Sequence, residues 1–447
     1  MRTDLRLALL LIRGSDRREW WRVALTAVGA MGATGLALGA AAIVSLRGQY
    51  NVPLANGLLN QPGERSGVIL TLLLLLVPVL GFLGQCARIG ALHRDRRLAG
   101  LRLAGATPGQ VRRIAALEAG LTCLLGSVVA TVFAVLLLLS QWQHPPAVVW
   151  AGFALVMVAV PLLGVLVSTL ALRRVVASPL GWVRRVRPQP GKGRGPGLAF
   201  IAAALVLLTV GLVITPGTFG GFGTAPLLIF TVVIVTGMGA VWLTGATARL
   251  TGRLLAERTG NPATLIAAER LRDDPWAAAR THAAVLLVTV VGAAFVGIRH
   301  ALIAVLTGRN SSMYADNLSF YTTGIDLTGA AILVALGITL SGLAVGTAES
   351  LAARRRGLSA QVAAGVPRPV LAKALLLETA LPLAPAVALA GLGGIGIGIG
   401  YSVLAGAGVP VLPLLVPPAV YVACLLAAAA SLPRLRRSVH PAELRYT

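Results

Sequence analysis

The stretch LRLAGATPGQVRRIAALE, residues 101–118, decides how the chain is read, because three arginines and a Thr-Pro-Gly turn lie between two almost wholly apolar runs. Apolar runs of about 20 residues suit spans of the bilayer, and a basic piece between two of them suits a loop outside it. The piece has a partner. GATPGQVRRIAALE, residues 105–118, shares its Gly-to-Glu spacing with GVPRPVLAKALLLE, residues 365–378, which lies 260 residues further on.

Composition supports a membrane chain. Of 447 residues, 56% are hydrophobic and only 12% are charged, and the mean hydropathy is +0.83, outside the range of soluble globular domains. The net charge of +24 suits either nucleic acid or a topology signal facing anionic lipid, and the placement of the cations decides between them. Cys86, Cys123 and Cys424 all fall inside apolar runs, which excludes a disulfide framework and a zinc cluster. The five histidines are dispersed without metal-ligand spacing. Lysine occurs only at Lys192 and Lys373, and the Arg, Ala, Gly and Leu bias is that of a GC-rich bacterial genome. Six arginines up to Arg22 and the polar RGSDRREWW, residues 13–21, speak for a retained anchor rather than a cleavable signal peptide.

The apolar runs predict an all-α integral membrane protein of about ten transmembrane helices arranged 4+2+4. Residues 1–22 form an N-terminal segment at the cytoplasmic face, and 23–172 a first four-span group with spans near 23–46, 67–92, 114–140 and 147–172. Residues 173–197 form a basic linker containing RRVRPQPGKGRGPG, and 198–248 a middle pair of spans. Residues 249–280 form a polar segment, 281–432 a second four-span group and 433–447 a tail. The six segments on the side of the termini hold 35 of the 39 arginines and lysines, leaving Arg47, Arg65, Arg299 and Arg309. Such a bias predicts cytoplasmic termini and a multi-pass protein of the bacterial plasma membrane. Cations spread over six segments without interleaved aromatics also exclude nucleic acid as the partner.

In this count both matched pieces lie between the second and third spans of their groups, so both face the cytoplasm. Six spans separate them, an even number, which makes them parallel repeats. Thr107 followed by Pro108 suits a helix N-terminus. Arg96, Arg97, Arg102, Arg112 and Arg113 offer cations to headgroups or an acidic partner, and Leu98, Leu101 and Leu103 give an apolar side. Glu118 and Glu378 suit either pairing with nearby cations or the dipole at the start of a helix.

At these residues the chain resembles the FtsX-like permease domain of ABC transporters of the macrolide-exporter class. The resemblance rests on the Arg-rich stretch 94–97, on Leu101-Arg102-Leu103-Ala104-Gly105-Ala106-Thr107, and on Glu118. The second copy carries it on Arg354, Arg355, Arg356, Gly365, Pro367 and Glu378, with Val362 where the first has Arg102. It covers about 67–172 and 325–432, and the 4+2+4 order is similar to the bacitracin-resistance type of permease. It implies that the two pieces are handles that couple to a nucleotide-binding subunit. G-x-x-x-x-G-K-[ST] does not occur, GKGRGPG at 191–197 lacking the order. The expectation is therefore a chain that is not itself an enzyme and holds no cofactor. ATP and Mg belong to an ABC ATPase partner, two copies per chain, and membrane lipid is the other partner.

Two rivals stand beside this reading. A secondary transporter needs ionisable groups near the midplane, and a regulatory scaffold that activates an extracytoplasmic partner needs an outer docking surface. The outer loops, near 47–66 and 308–324, are short. Arg299, His300 and Asp326 are the residues for gating or substrate contact, Asp326 as a partner for Arg299, with snorkelling of Arg299 as the plainer reading. GLGGIGIGIG, residues 391–400, has GxxxG spacing and predicts close helix packing.

Overall fold

The computed structural model describes residues 17–46, 59, 62–86, 100–101, 103–142, 145–176, 225–308 and 318–433. Those residues form helices and turns and no strand. In order they are α1 (Arg17–Val44), α2 (Pro62–Cys86), α3 (Pro108–Gln141), α4 (Ala147–Val176), α5 (Ala225–Arg258), α6 (Pro262–Asp273), α7 (Pro275–Thr307), α8 (Leu318–Ala353), α9 (Arg355–Ala363), α10 (Arg368–Leu404), a 3₁₀ turn (Leu412–Leu415) and α11 (Val416–Ala429). The chain is an all-α integral membrane protein: eight of these helices are long and apolar enough to cross a bilayer. In α2 the apolar stretch Arg65–Leu80 is shorter. The expected span at 198–214, the linker and the basic tail from residue 434 lie outside the described residues.

Two compact units share the chain. The first comprises Met1–Gly48 and Val79–Gln189, and the second Gln49–Pro78 and Pro190–Thr447. The division falls inside α2 at Pro78, the proline that this helix carries. The second unit thus groups α5 with the last four spans.

Within the first unit α1, α3 and α4 pack on one another. Lipid tails are as apolar as leucine, so spans associate through close backbone approach and buried hydrogen bonds. Both occur between α1 and α3. Gly126 faces the Ala27 carbonyl with no room for a methyl, and Thr34 and Ser127 share a buried hydrogen bond of 2.9 Å. Leu38, Val149 and Phe153 fill the core of this unit, while Phe133, Leu136, Leu155 and Val158 point outward as lipid-facing positions do.

Within the second unit α7 and α10 form the central pair, flanked by α5, α8 and α11. Leu286, Leu287, Val290, Leu383, Ala386 and Ala390 make its core. The glycine stripe lies at this contact: Gly394 packs on the backbone at Val290 and Gly398 on Gly297. α10 continues through Pro382 and Pro385.

α6 differs from the spans. Its 12 residues begin where the Asn261 side chain accepts a hydrogen bond from the Ala263 amide at 3.0 Å, an N-cap followed by proline at the first helical position. Ala263, Ala267, Ala268 and Leu271 are buried, the spacing of one helix face. α5 meets it closely, since a methyl on Gly252 would lie 2.9 Å from the Arg272 nitrogen.

Candidate functional site

The two matched segments build the same turn. Gly105 has φ 95 and Gly365 has φ 91, a left-handed conformation that glycine adopts without the Cβ clash of other residues. Each glycine ends a helix. The Ala106 amide donates to the Leu101 carbonyl and the Val366 amide to the Gln361 carbonyl, both at 3.0 Å, the 6→1 bond of a Schellman ending. Three residues after each glycine the next helix starts, α3 at Pro108 and α10 at Arg368.

The helix starts are capped differently. Thr107 and Gln110 form a capping box, the Gln110 amide donating to Thr107 Oγ1 at 3.3 Å and the Thr107 amide to Gln110 Oε1 at 2.8 Å. Pro367 holds the same position before α10 without a side-chain cap. Six residues beyond each glycine stand Val111 and Leu371, both 1% exposed. Val111 packs with Ala115, Leu101 and Ala106. Leu371 packs with Leu351 and Leu358, joined by Val362, Val366 and Ile266. Each apolar cluster ties the turn to the helix that follows it.

Glu118 and Glu378 occupy the same register thirteen residues after their glycines. Glu118 is buried. Glu378 is shared by two guanidinium groups: Arg354 Nη1 donates to Oε1 at 2.8 Å and to Oε2 at 2.9 Å, and Arg270 Nη1 donates to Oε2 at 3.0 Å. For Glu378 the structure selects pairing over a bare helix-dipole role. Arg354 belongs to the Arg-rich stretch 354–356 and sits at the junction of α8 and α9. Arg270 comes from α6, 108 residues before Glu378, and the spacing of the repeats does not point to it. The signal that could have found it is the Asn261-Pro262 cap followed by alanines at helical spacing, which marks a short amphipathic helix.

Around the first turn Leu103 is 84% exposed, and Ala104, Gly105, Thr107, Gln110 and Arg113 are exposed beside it. This is an apolar knob ringed by polar groups. Around the second turn Ala363, Ala364, Gly365, Pro367 and Arg368 are exposed, a smaller and smoother surface. Arg355 is half-buried at the start of α9. Arg96, Arg97 and Arg102 lie outside the described residues, as do the side chains of Pro108, Arg112 and Arg356.

On α7 and α8 the Phe295 ring would lie 3.3 Å from a methyl on Gly329. That contact between antiparallel neighbours sets Arg299 and Asp326 at one level. Both are exposed, as is His300, and the expected ion pair between Arg299 and Asp326 is not formed. Among the described residues no group of three or more His, Cys, Asp or Glu side chains is placed to hold a metal ion.

Residues 67–180 match the family model described as FtsX-like permease C-terminal, which is roughly a quarter of the chain. The match contains the Gly105 turn, Glu118 and the α3–α4 pair and does not extend to the Gly365 turn. It supports a membrane permease component of an ABC-type system, a family generally paired with an ABC ATPase. No curated protein matches the chain significantly.

Proposed function

We propose that this chain is the permease subunit of an ABC transporter and couples ATP hydrolysis by a separate ATPase to the export or extraction of a substrate at the membrane. The observation that carries the reading is the exposed turn at Gly105 inside the matched segment. It presents Leu103 and Arg113 outward and is anchored from behind by Val111 and Ala115. An exposed apolar side chain ringed by polar and basic groups is the make-up of a docking point.

In this reading the Gly105 and Gly365 turns face the cytoplasm with both termini, in a bacterial plasma membrane, and each takes one ATPase subunit. ATP and Mg are bound by those subunits. Their closure on ATP draws the two turns together, and α3 and α10, which start three residues after their glycines, carry the displacement to the far ends of the spans. The handles transmit force and perform no bond chemistry. Each charge-assisted contact made on docking contributes about 1.5–3 kcal/mol when desolvated, so a few arginines suffice to hold a subunit during the stroke.

Purification from native membranes in mild detergent tests this. The expected preparation contains an ATP-binding cassette subunit at two copies per chain, and ATP hydrolysis is lost when that subunit is stripped off. A chain that moves substrate with no ATPase present would contradict the proposal.

A further inference from the structure

We infer that Arg270 is a positioning residue for the second handle, and that α6, which lies outside both repeats, is the brace through which that handle is held to α5 and α7. What the handle does rests on the function proposed above; the brace itself rests on geometry.

One face of α6 is fixed. Leu271 packs with Ala248 of α5, Ala278 of α7 and Leu381 of α10, and Gly252 brings the α5 backbone against that of α6. The other face reaches the handle with Ile266 and Arg270, four residues apart and therefore on one side of the helix. Ile266 enters the Leu351, Leu358 and Leu371 cluster beneath α9. Arg270 meets the Glu378 carboxylate, which also holds Arg354 by both oxygens.

Arg354 is the residue at which α8 ends and α9 begins. One carboxylate on α10 thus joins the hinge of the handle to α6. The three side chains are about one-fifth to two-fifths exposed, at 20% for Arg270, 22% for Glu378 and 37% for Arg354, so water screens the contacts only in part. If α9 moves away from α10, the Arg354–Glu378 contact breaks; if α9 and α10 move together, α6 is drawn along through Arg270 and Ile266. In the second case α5 and α7 follow, because α6 is joined to both by short turns and close packing. Arg270 acts on the handle through Glu378 and touches neither nucleotide nor substrate.

Hydrogen exchange on the full chain in lipid nanodiscs, without any ATPase, tests the brace. In Arg270→Gln the amides of α9 should exchange about tenfold faster than in the native chain, as expected when a charge-assisted contact to a locally opening element is removed. Arg270→Lys keeps a cation and should bring the rate back toward native. Arg272→Gln, whose guanidinium meets the neighbouring Glu269 on the same helix at 3.4 Å, should leave α9 unchanged. In all three variants the α7–α10 core should exchange as in the native chain, because Arg354 still accompanies Glu378. Unchanged exchange of α9 in Arg270→Gln, an equal rise in Arg272→Gln, or failure of Arg270→Lys to rescue would overturn the inference. Because no ATPase enters the measurement, these results reject the brace without touching the proposed function, and a missing ATPase partner leaves the brace standing.

Discussion

Gly297 on α7 and Gly398 on α10 meet backbone to backbone: a methyl placed on Gly297 would lie 2.6 Å from the Gly398 Cα, and one on Gly398 would lie 2.9 Å from the Gly297 Cα. Neither obstacle is a flexible side chain that can turn aside. Any side chain here forces the two central helices of the second unit apart. Gly398→Val should therefore lower stability by about 1–3 kcal/mol, the usual cost of overpacking, read as a fall in unfolding temperature in detergent. Gly396→Val, where nothing lies within 4 Å, is the control and should change little.

The turn glycines are replaced for a different cost. Nothing lies within 4 Å of a methyl on Gly105 or Gly365, so only the backbone conformation resists. Alanine at either position should cost about 1–2 kcal/mol, with similar values in the two copies, and asparagine should cost less. Thermal unfolding of Gly105→Ala and Gly365→Ala measures this. A native unfolding temperature in both would show that the left-handed turn is not imposed.

Topology gives a third expectation. α10 has 37 residues and runs about 55 Å at 1.5 Å per residue, enough to carry the chain across a hydrocarbon layer of about 30 Å. Gly408, beyond its end, and Gly260, before α6, are both exposed. A membrane-impermeant thiol reagent added to intact cells should label Gly408→Cys and spare Gly260→Cys. The native cysteines Cys86, Cys123 and Cys424 are buried and give low background. Labelling of Gly260→Cys from outside would reverse the assignment of sides.

Leu103 provides a fourth. A side chain that is 84% exposed contributes little to folding, so Leu103→Asp should leave the unfolding temperature within about 1 °C of native. If the side chain anchors an ATPase subunit, the same change should weaken that association about tenfold or more, measured by binding of the purified subunit to the chain in nanodiscs. Unaltered affinity would remove Leu103 from the docking surface.

The sequence disclosed the membrane class and the paired turns because both are local. Span length and arginine placement are read along the chain, and the Gly-x-x-Pro or Gly-x-x-Arg step that starts α3 and α10 lies within a few residues. The partners of Glu378 were only half legible. Arg354 stands in the same repeat, whereas Arg270 arrives through tertiary packing of α6, which no repeat spacing encodes. The absence of an Arg299–Asp326 contact has the same origin: residues can share a level on antiparallel helices while their side chains leave on different faces. The glycine stripe on α10 was legible as close packing, but its counterpart on α7, Gly297, was not, because α7 has only Gly292 and Gly297 and these are not at GxxxG spacing.

If the Gly105 turn couples to an ATPase subunit as proposed, ATPase activity of the reconstituted assembly is the measurement that shows it. Arg102 stands in the segment just before the Gly105 turn, while Val362 holds the matching place in the second copy and packs inward against Leu358 and Leu371. Arg102→Glu, with normal amounts in the membrane, should release the ATPase subunit or uncouple hydrolysis from transport, whereas Val362→Glu should act through local packing. Loss of coupling in Arg102→Glu with the ATPase subunit intact is the predicted result. Native partner binding, native hydrolysis and native transport in Arg102→Glu would contradict a coupling role for the Gly105 turn.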